Sequence, residues 1–185
     1  MANDNTFTYT EWKTLVHSSE TGELIWESPE HKNLEVNSGR NRLITMAFVP
    51  SASTSFGGFY YLGVGASATA AQVTDTQLTY ELIGNGTRKV LTNTAGLTPT
   101  NSDVVLETIT IGSTTFFEKI VLQAIFTSGD GNNGNTFNEY ALFNTAALPG
   151  TPTASSGVMF NHYIDPNPVT KTALNQVTTQ ITIRY

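Results

Sequence analysis

The chain has 185 residues, no cysteine, a formal net charge of -6 and only 13% charged residues. A domain of this length buries roughly 70% of the surface its unfolded chain exposes, so a core forms without disulfides. The absence of cysteine excludes a thiol nucleophile and a Cys-ligated zinc site. The 9 Lys and Arg residues are scattered, whereas a nucleic-acid interface neutralising roughly 6–10 phosphates would need nearly all of them on one face.

No segment approaches the ~20 apolar residues of a membrane span. Residues 1–10 carry no basic region and no apolar run of signal-peptide length, so the expected product is made in the cytoplasm without a cleavable export signal and is soluble there. One domain over residues 1–185 is expected. From Phe7 to Val16 the residues Trp12, Thr14 and Val16 alternate with Glu11, Lys13 and Leu15, a strand pattern. Gly22 supplies a turn and Glu23 to Glu27 returns, which gives an N-terminal hairpin over roughly residues 6–28. Beyond Asn37-Ser38-Gly39, the residues Leu43, Ile44, Ala47 and Phe48 mark one face of a short helix from Gly39 to Val49, stopped by Pro50. That helix is expected to cover an open side of a sheet.

Phe59 to Val64 reads as a strand that runs through a Gly-x-Gly step into a crossing of small residues, Gly65 to Thr74. Asp75-Thr76 can start a helical turn before Thr79 to Thr92, a strand interrupted at Gly84-Asn85-Gly86. Asp103 to Gly112 and Glu118 to Thr127 alternate most regularly. Residues 129–135 read as a hairpin tip before a strand over 138–143, and Leu148 to Gly157, with two prolines, as a long exposed loop. Val158 to Ile164 and Val177 to Tyr185 complete the set, the last expected to lie centrally. Many short strands separated by turn signals predict a mainly β fold, an antiparallel β-sandwich of jelly-roll type with one short helix.

The residues offer little reactive chemistry. His17, His31 and His162 lie far apart in sequence without the spacing of a metal pair, and no nucleophile elbow, phosphate loop or zinc-protease helix is present. Asp130, Asn132 and Gly134 resemble a calcium loop, but Glu139 closes it nine residues on, and an Asn/Gly-rich tip needs no metal. Glu81, Glu107 and Glu139 are carboxylates of the kind a glycosidase pairs, though any β-sandwich carries such residues. Trp12, Trp26, Tyr60, Tyr61, Phe116 and Phe117 can form a sugar-stacking platform; core filling and a subunit interface are the plainer reading. No catalytic, cofactor or metal residue is therefore expected.

Several stretches, in order, resemble small β-rich virion proteins of tailed bacteriophages, found as head-decoration, neck or tail-associated components. These are Asn33-Leu-Glu-Val-Asn-Ser-Gly-Arg-Asn-Arg-Leu43, Leu62-Gly-Val-Gly65 with the small-residue run after it, and Asp75-Thr-Gln-Leu-Thr-Tyr-Glu81. Glu139-Tyr-Ala-Leu-Phe143 and Pro168-Val-Thr-Lys171 follow, so the resemblance covers in patches most of the chain from about residue 23. It departs from the pattern at Ala141, where a glycine is expected before Leu142-Phe143. The resemblance implies a structural role in the virion without a reaction or cofactor. Its implied partners are copies of the chain and other virion proteins, chiefly the major capsid protein, with no nucleic acid and no membrane. The loops at Gly65 to Thr74 and Leu148 to Gly157 and the N-terminal residues are the expected contact surfaces. A neck, tail or baseplate component and a carbohydrate-binding host-attachment module are the alternatives.

Overall fold

Alternating apolar and polar residues build two antiparallel sheets in the computed structural model, which describes residues 9–32, 34–35, 58–99, 101–111, 113–131, 134–154 and 156–184. The strands are β1 (Tyr9–Ser18), β2 (Leu24–Glu27), β3 (His31–Lys32), β4 (Leu34–Glu35), β5 (Tyr61–Gly65) and β6 (Arg88–Val90), followed by β7 (Thr92–Asn93), β8 (Val104–Ile111), β9 (Ser113–Phe126), β10 (Thr136–Phe143), β11 (Asn161–Thr170) and β12 (Asn175–Arg184). One sheet runs β2-β1-β12-β9-β7, with β3 also on β1 and β8 also on β9; the other runs β4-β11-β10-β5-β6.

The inward faces of the two sheets share one core. Trp12, Leu122, Phe126, Val177 and Ile181 from the first meet Leu62, Phe137, Tyr140, Leu142 and Tyr163 from the second. Trp12 stacks on Tyr163 with ring centroids 5.5 Å apart, and Phe126 meets Phe137 edge-on at 5.0 Å. Burial of one large apolar side chain contributes about 1.5–3 kcal/mol, so this aromatic seam between the layers is a principal source of cohesion. β12 lies between β1 and β9, as its regular alternation predicts.

The β1–β2 hairpin forms where expected, with Gly22 at φ 73° in its turn. Other expectations are corrected. Residues 79–87 do not form a strand: Glu81 makes a single bridge to Gly65, after which the chain turns through Gly86 at φ 68° before β6 begins. Asp75 closes a turn rather than starting a helical one, its backbone N–H donating to the Gln72 carbonyl at 3.0 Å. The hairpin tip expected at 129–135 is corrected too, because β9 and β10 belong to different sheets and do not pair.

β9 is longer than its pattern suggested, and β11 continues past two prolines. Pairing of β11 with β10 jumps from Glu139↔Ile164 to Phe137↔Val169, so Pro166 and Pro168 sit in a bulge where no ladder N–H is required. At Ala141 β10 runs without interruption, paired with Gly63. The expected helix at Gly39 to Val49 lies outside the described residues, among which the helical structure is one 3-10 turn at Asn101–Asp103. No helix among the described residues is long and apolar enough to cross a membrane.

Candidate functional site

Between β5 and the turn before β6 the chain passes over the surface of the five-stranded sheet through the small-residue crossing. Alanine and threonine bury too little area to hold such a loop, and polar side chains beneath it do so instead. The Glu139 carboxylate, fully buried on β10, accepts the backbone N–H groups of Tyr80 at 2.7 Å, Thr79 at 2.9 Å and Ser67 at 3.2 Å. It thereby ties the chain on either side of the crossing to one point.

His162 on β11 completes the clamp. Its Nε2 lies 2.9 Å from Glu139 Oε2 and its Nδ1 lies 2.7 Å from Asp75 Oδ2 in the crossing. The Asp75 carboxylate also accepts the Gln72 N–H at 2.8 Å, which fixes the turn that carries it. Burial alone would push the His162 imidazole down, but the hydrogen bonds and charges of Glu139 and Asp75 outweigh burial and hold it above the usual histidine value. Room for the clamp depends on Gly65, where a Cβ would lie 2.6 Å from the Tyr80 carbonyl and closer still to the Glu139 side chain.

A second buried ion pair adjoins the first. Arg88 on β6 donates from Nε to Glu81 Oε1 at 2.6 Å and from Nη2 to Oε2 at 2.9 Å, a two-pronged pairing with both side chains buried. Its Nη1 donates to the carbonyls of Ala147, Thr145 and Ser156 at 2.7–3.1 Å, and the guanidinium lies 3.6 Å above the Phe143 ring. Burial pushes the Glu81 carboxyl up, the Arg88 fork opposes this, and the nearby Glu139 charge adds to the upward push.

Arg88 thus draws the second loop, Leu148 to Gly157, toward the sheet that carries the first. Glu81 N–H donates to the Pro152 carbonyl at 2.8 Å, and the Gln77 side-chain amide donates to the Thr153 carbonyl. The second loop is therefore held against Gln77 and Glu81, in the segment that follows the first loop. Between Ala66 and Thr74, and between Leu148 and Gly157, neither loop contains a charged residue.

The remaining sequence candidates are dispersed. Asp130 receives Lys89 Nζ at 2.7 Å and both N–H and O–H of Thr127, while Glu139 serves the clamp, so the two are not brought to a common metal position; Asn132 lies outside the described residues. Among the described residues no cluster of three or more potential ligands forms a metal site. Glu81 and Glu139 are neighbours, yet both are buried and engaged rather than lining a cleft; the side chain of Glu107 is outside the description.

Trp12 is a core residue rather than a platform, whereas Trp26 lines a surface cavity of about 540 Å³ with Val16, Pro166, Asn167, Pro168 and Val169. Tyr60 and Tyr61 border a separate cavity of about 260 Å³. His17 and His31 are not brought to His162: His31 sits against the Tyr163 ring. Sequence reading treated His162 as solitary because its partners are 23 and 87 residues away.

One further surface stands out. β8 pairs with β9 from Val104↔Ile120 to Ile111↔Ser113, while β12 reaches only to the Arg184↔Lys119 pair. Among the described residues the β9 segment 113–118 therefore has a strand on one side only, and Val104, Val105 and Leu106 at the base of this ribbon are exposed. Comparison with protein families, curated proteins and solved structures finds no match for this chain.

Proposed function

We propose that the chain is a non-enzymatic structural protein of a tailed-bacteriophage virion, a capsid decoration or cement subunit. It acts by contact with copies of itself and with the major capsid protein. The observation that carries this reading is the pair of uncharged loops held against one sheet by two buried ionic clusters. A surface fixed in advance loses less conformational entropy when a partner docks, so more of its contact energy appears as affinity. Low charge suits close packing of many like subunits, and the order of sequence stretches resembling phage virion proteins points the same way.

The buried ionisable groups support a role without catalysis. Glu81, Glu139, Arg88 and His162 have the charges and pairings of an active site, but each spends its hydrogen-bonding capacity on the protein itself. No cofactor is required, and the scattered basic residues suit neither nucleic acid nor an acidic membrane surface. The proposed location is the virion, after synthesis in the host cytoplasm.

Quantitative mass spectrometry of purified particles tests the reading. Hundreds of copies, in simple ratio to the major capsid protein, are expected. A count in small multiples of three, six or twelve assigns the chain to the neck, tail or baseplate, and absence from particles overturns the virion role. Deletion of residues 66–73 is expected to abolish incorporation while leaving the sheets folded; normal incorporation removes that loop from the contact surface. The Trp26 cavity favours one second reading, a carbohydrate-binding attachment module, which predicts glycan-array binding that disappears in Trp26→Ala. Trp12→Ala is no test of sugar binding, since it empties the core.

A further inference from the structure

An imidazole in water exchanges its proton with little consequence, but His162 is placed where the proton count decides what it can hold. Both ring nitrogens face carboxylate oxygens, at 2.7 Å to Asp75 and 2.9 Å to Glu139. Carboxylates only accept, so both contacts are hydrogen bonds only when both nitrogens carry hydrogen, in the imidazolium form. The neutral ring keeps one N–H, and one carboxylate then faces a lone pair.

The two carboxylates are unequal competitors for that hydrogen. Glu139 is fully buried, with no water to replace a lost donor, whereas the Asp75 side chain retains 26% of its exposure. The remaining proton therefore stays on Nε2, toward Glu139, and the Nδ1 lone pair is turned on Asp75. We propose that His162 is a proton-operated latch for the small-residue crossing: as imidazolium it pins the loop through Asp75, and on deprotonation it releases Asp75 while Glu139 keeps the loop's two ends.

The charged surroundings fit this division. Facing His162 are Asp75 from the crossing and Glu139 from β10; behind Glu139 stand Glu81, from the turn before β6, and Arg88 on β6 itself. On the other side β4 pairs with β11 and places Leu34 opposite His162. Carboxylates predominate around the ring and favour the imidazolium. Release of Asp75 also removes a fixed acceptor for the Gln72 N–H, so loosening spreads from the anchor into residues 68–76. Ser67, Thr79 and Tyr80, which bond to Glu139, remain in place.

The latch lies beneath a loop that the proposed function uses for contacts. It is read in the isolated subunit, however, so failure of the latch and failure of the virion role are separable. The test is a pH titration of uniformly nitrogen-15-labelled protein from about pH 6 to about pH 10, spanning the ordinary histidine value. The His162 ring nitrogens report protonation and the backbone amides report the loop. Expected are imidazolium shifts for His162 at neutral pH and, at its deprotonation midpoint, a concerted shift of the Gln72 and Asp75 amides with roughly tenfold faster exchange across 68–76 after correction for intrinsic rates.

Ser67, Thr79 and Tyr80 should keep their protection through the same transition. Asp75→Ala should give a loop that is loose at every pH in that range, in a protein that still unfolds cooperatively, with His162 losing its proton at lower pH. His162→Gln is the second variant and should remove the loop transition. A His162 ring that is neutral at pH 7, a loop that does not respond to its deprotonation, or a loop transition that persists in Asp75→Ala overturns the latch.

Discussion

At the scale of single residues, the most consequential side chain is Arg88. Removing one partner of a buried ion pair leaves the other charge without compensation, at a cost of about 3–5 kcal/mol. Arg88→Met is therefore expected to destabilise by that amount in urea unfolding, because it strands Glu81 beside Glu139 and frees three loop carbonyls. Adding Glu81→Leu should recover only part of the loss, since the carbonyls of Thr145, Ala147 and Ser156 stay without their donor. Gly65→Ala is a second test: its methyl group collides with the Tyr80 carbonyl and Glu139, and a loss of about 1–3 kcal/mol in the same assay is expected. Gly65 stands out in the sequence as the second glycine of the Gly-x-Gly step, but Arg88 does not. Arg88 reads there as one of a few scattered cations, and its value comes from carbonyls nearly sixty residues downstream.

At the scale of elements, strands with strict alternation were legible and those shaped by their neighbours were not. Val177, Thr179 and Ile181 predict β12 because each second residue enters the core. By contrast Thr79 to Thr87 has strand-like composition, but Glu81 is drawn under the loop by Arg88 and the chain leaves the sheet. Alternation predicts a strand over Val158 to Ile164, whereas β11 runs on to Thr170 because the fold absorbs Pro166 and Pro168 in a bulge. The β8–β9 ribbon shows the opposite limit: alternation predicts both strands but not that one outlasts the sheet. An isolated two-stranded hairpin is marginal in water. Replacing residues 107–117 with a short turn is thus expected to leave the thermal midpoint within a few degrees of the parent by calorimetry, whereas a collapse of the midpoint would show that the ribbon supports the sandwich.

For the molecule as a whole, the two-layer architecture is legible in the sequence, but the ionic seam beneath its loops is not. A seam assembled from residues 75, 81, 88, 139 and 162 has no local pattern, because each member is recruited by a different strand or turn. It nevertheless sets how the whole protein responds to pH. His162 is held above its usual value of 6.5, so its contribution to stability is complete below about pH 6.5 and is lost as pH rises through its folded value. Burial pushes the Asp130 carboxyl up, but Lys89 and Thr127 outweigh it and leave it below its usual 3.8, so its contribution is present above that value and is lost on strong acidification. Urea unfolding across a pH series should therefore show stability declining above about pH 6.5, with the slope removed in His162→Gln.

The position of β12 has a further consequence, in the order of events during synthesis. Tyr9 pairs with Arg184 and Ser18 with Asn175, so the earliest long strand waits for the latest before it gains the partner that runs its full length. While the ribosome is still making residues 175–184, β1 and β9 have no strand between them, and their core-facing Trp12, Leu122 and Phe126 lack the neighbours Val177 and Ile181. The nascent chain must carry that apolar surface until residues 175–184 emerge, and closure of the larger sheet is a long-range step of the slow kind.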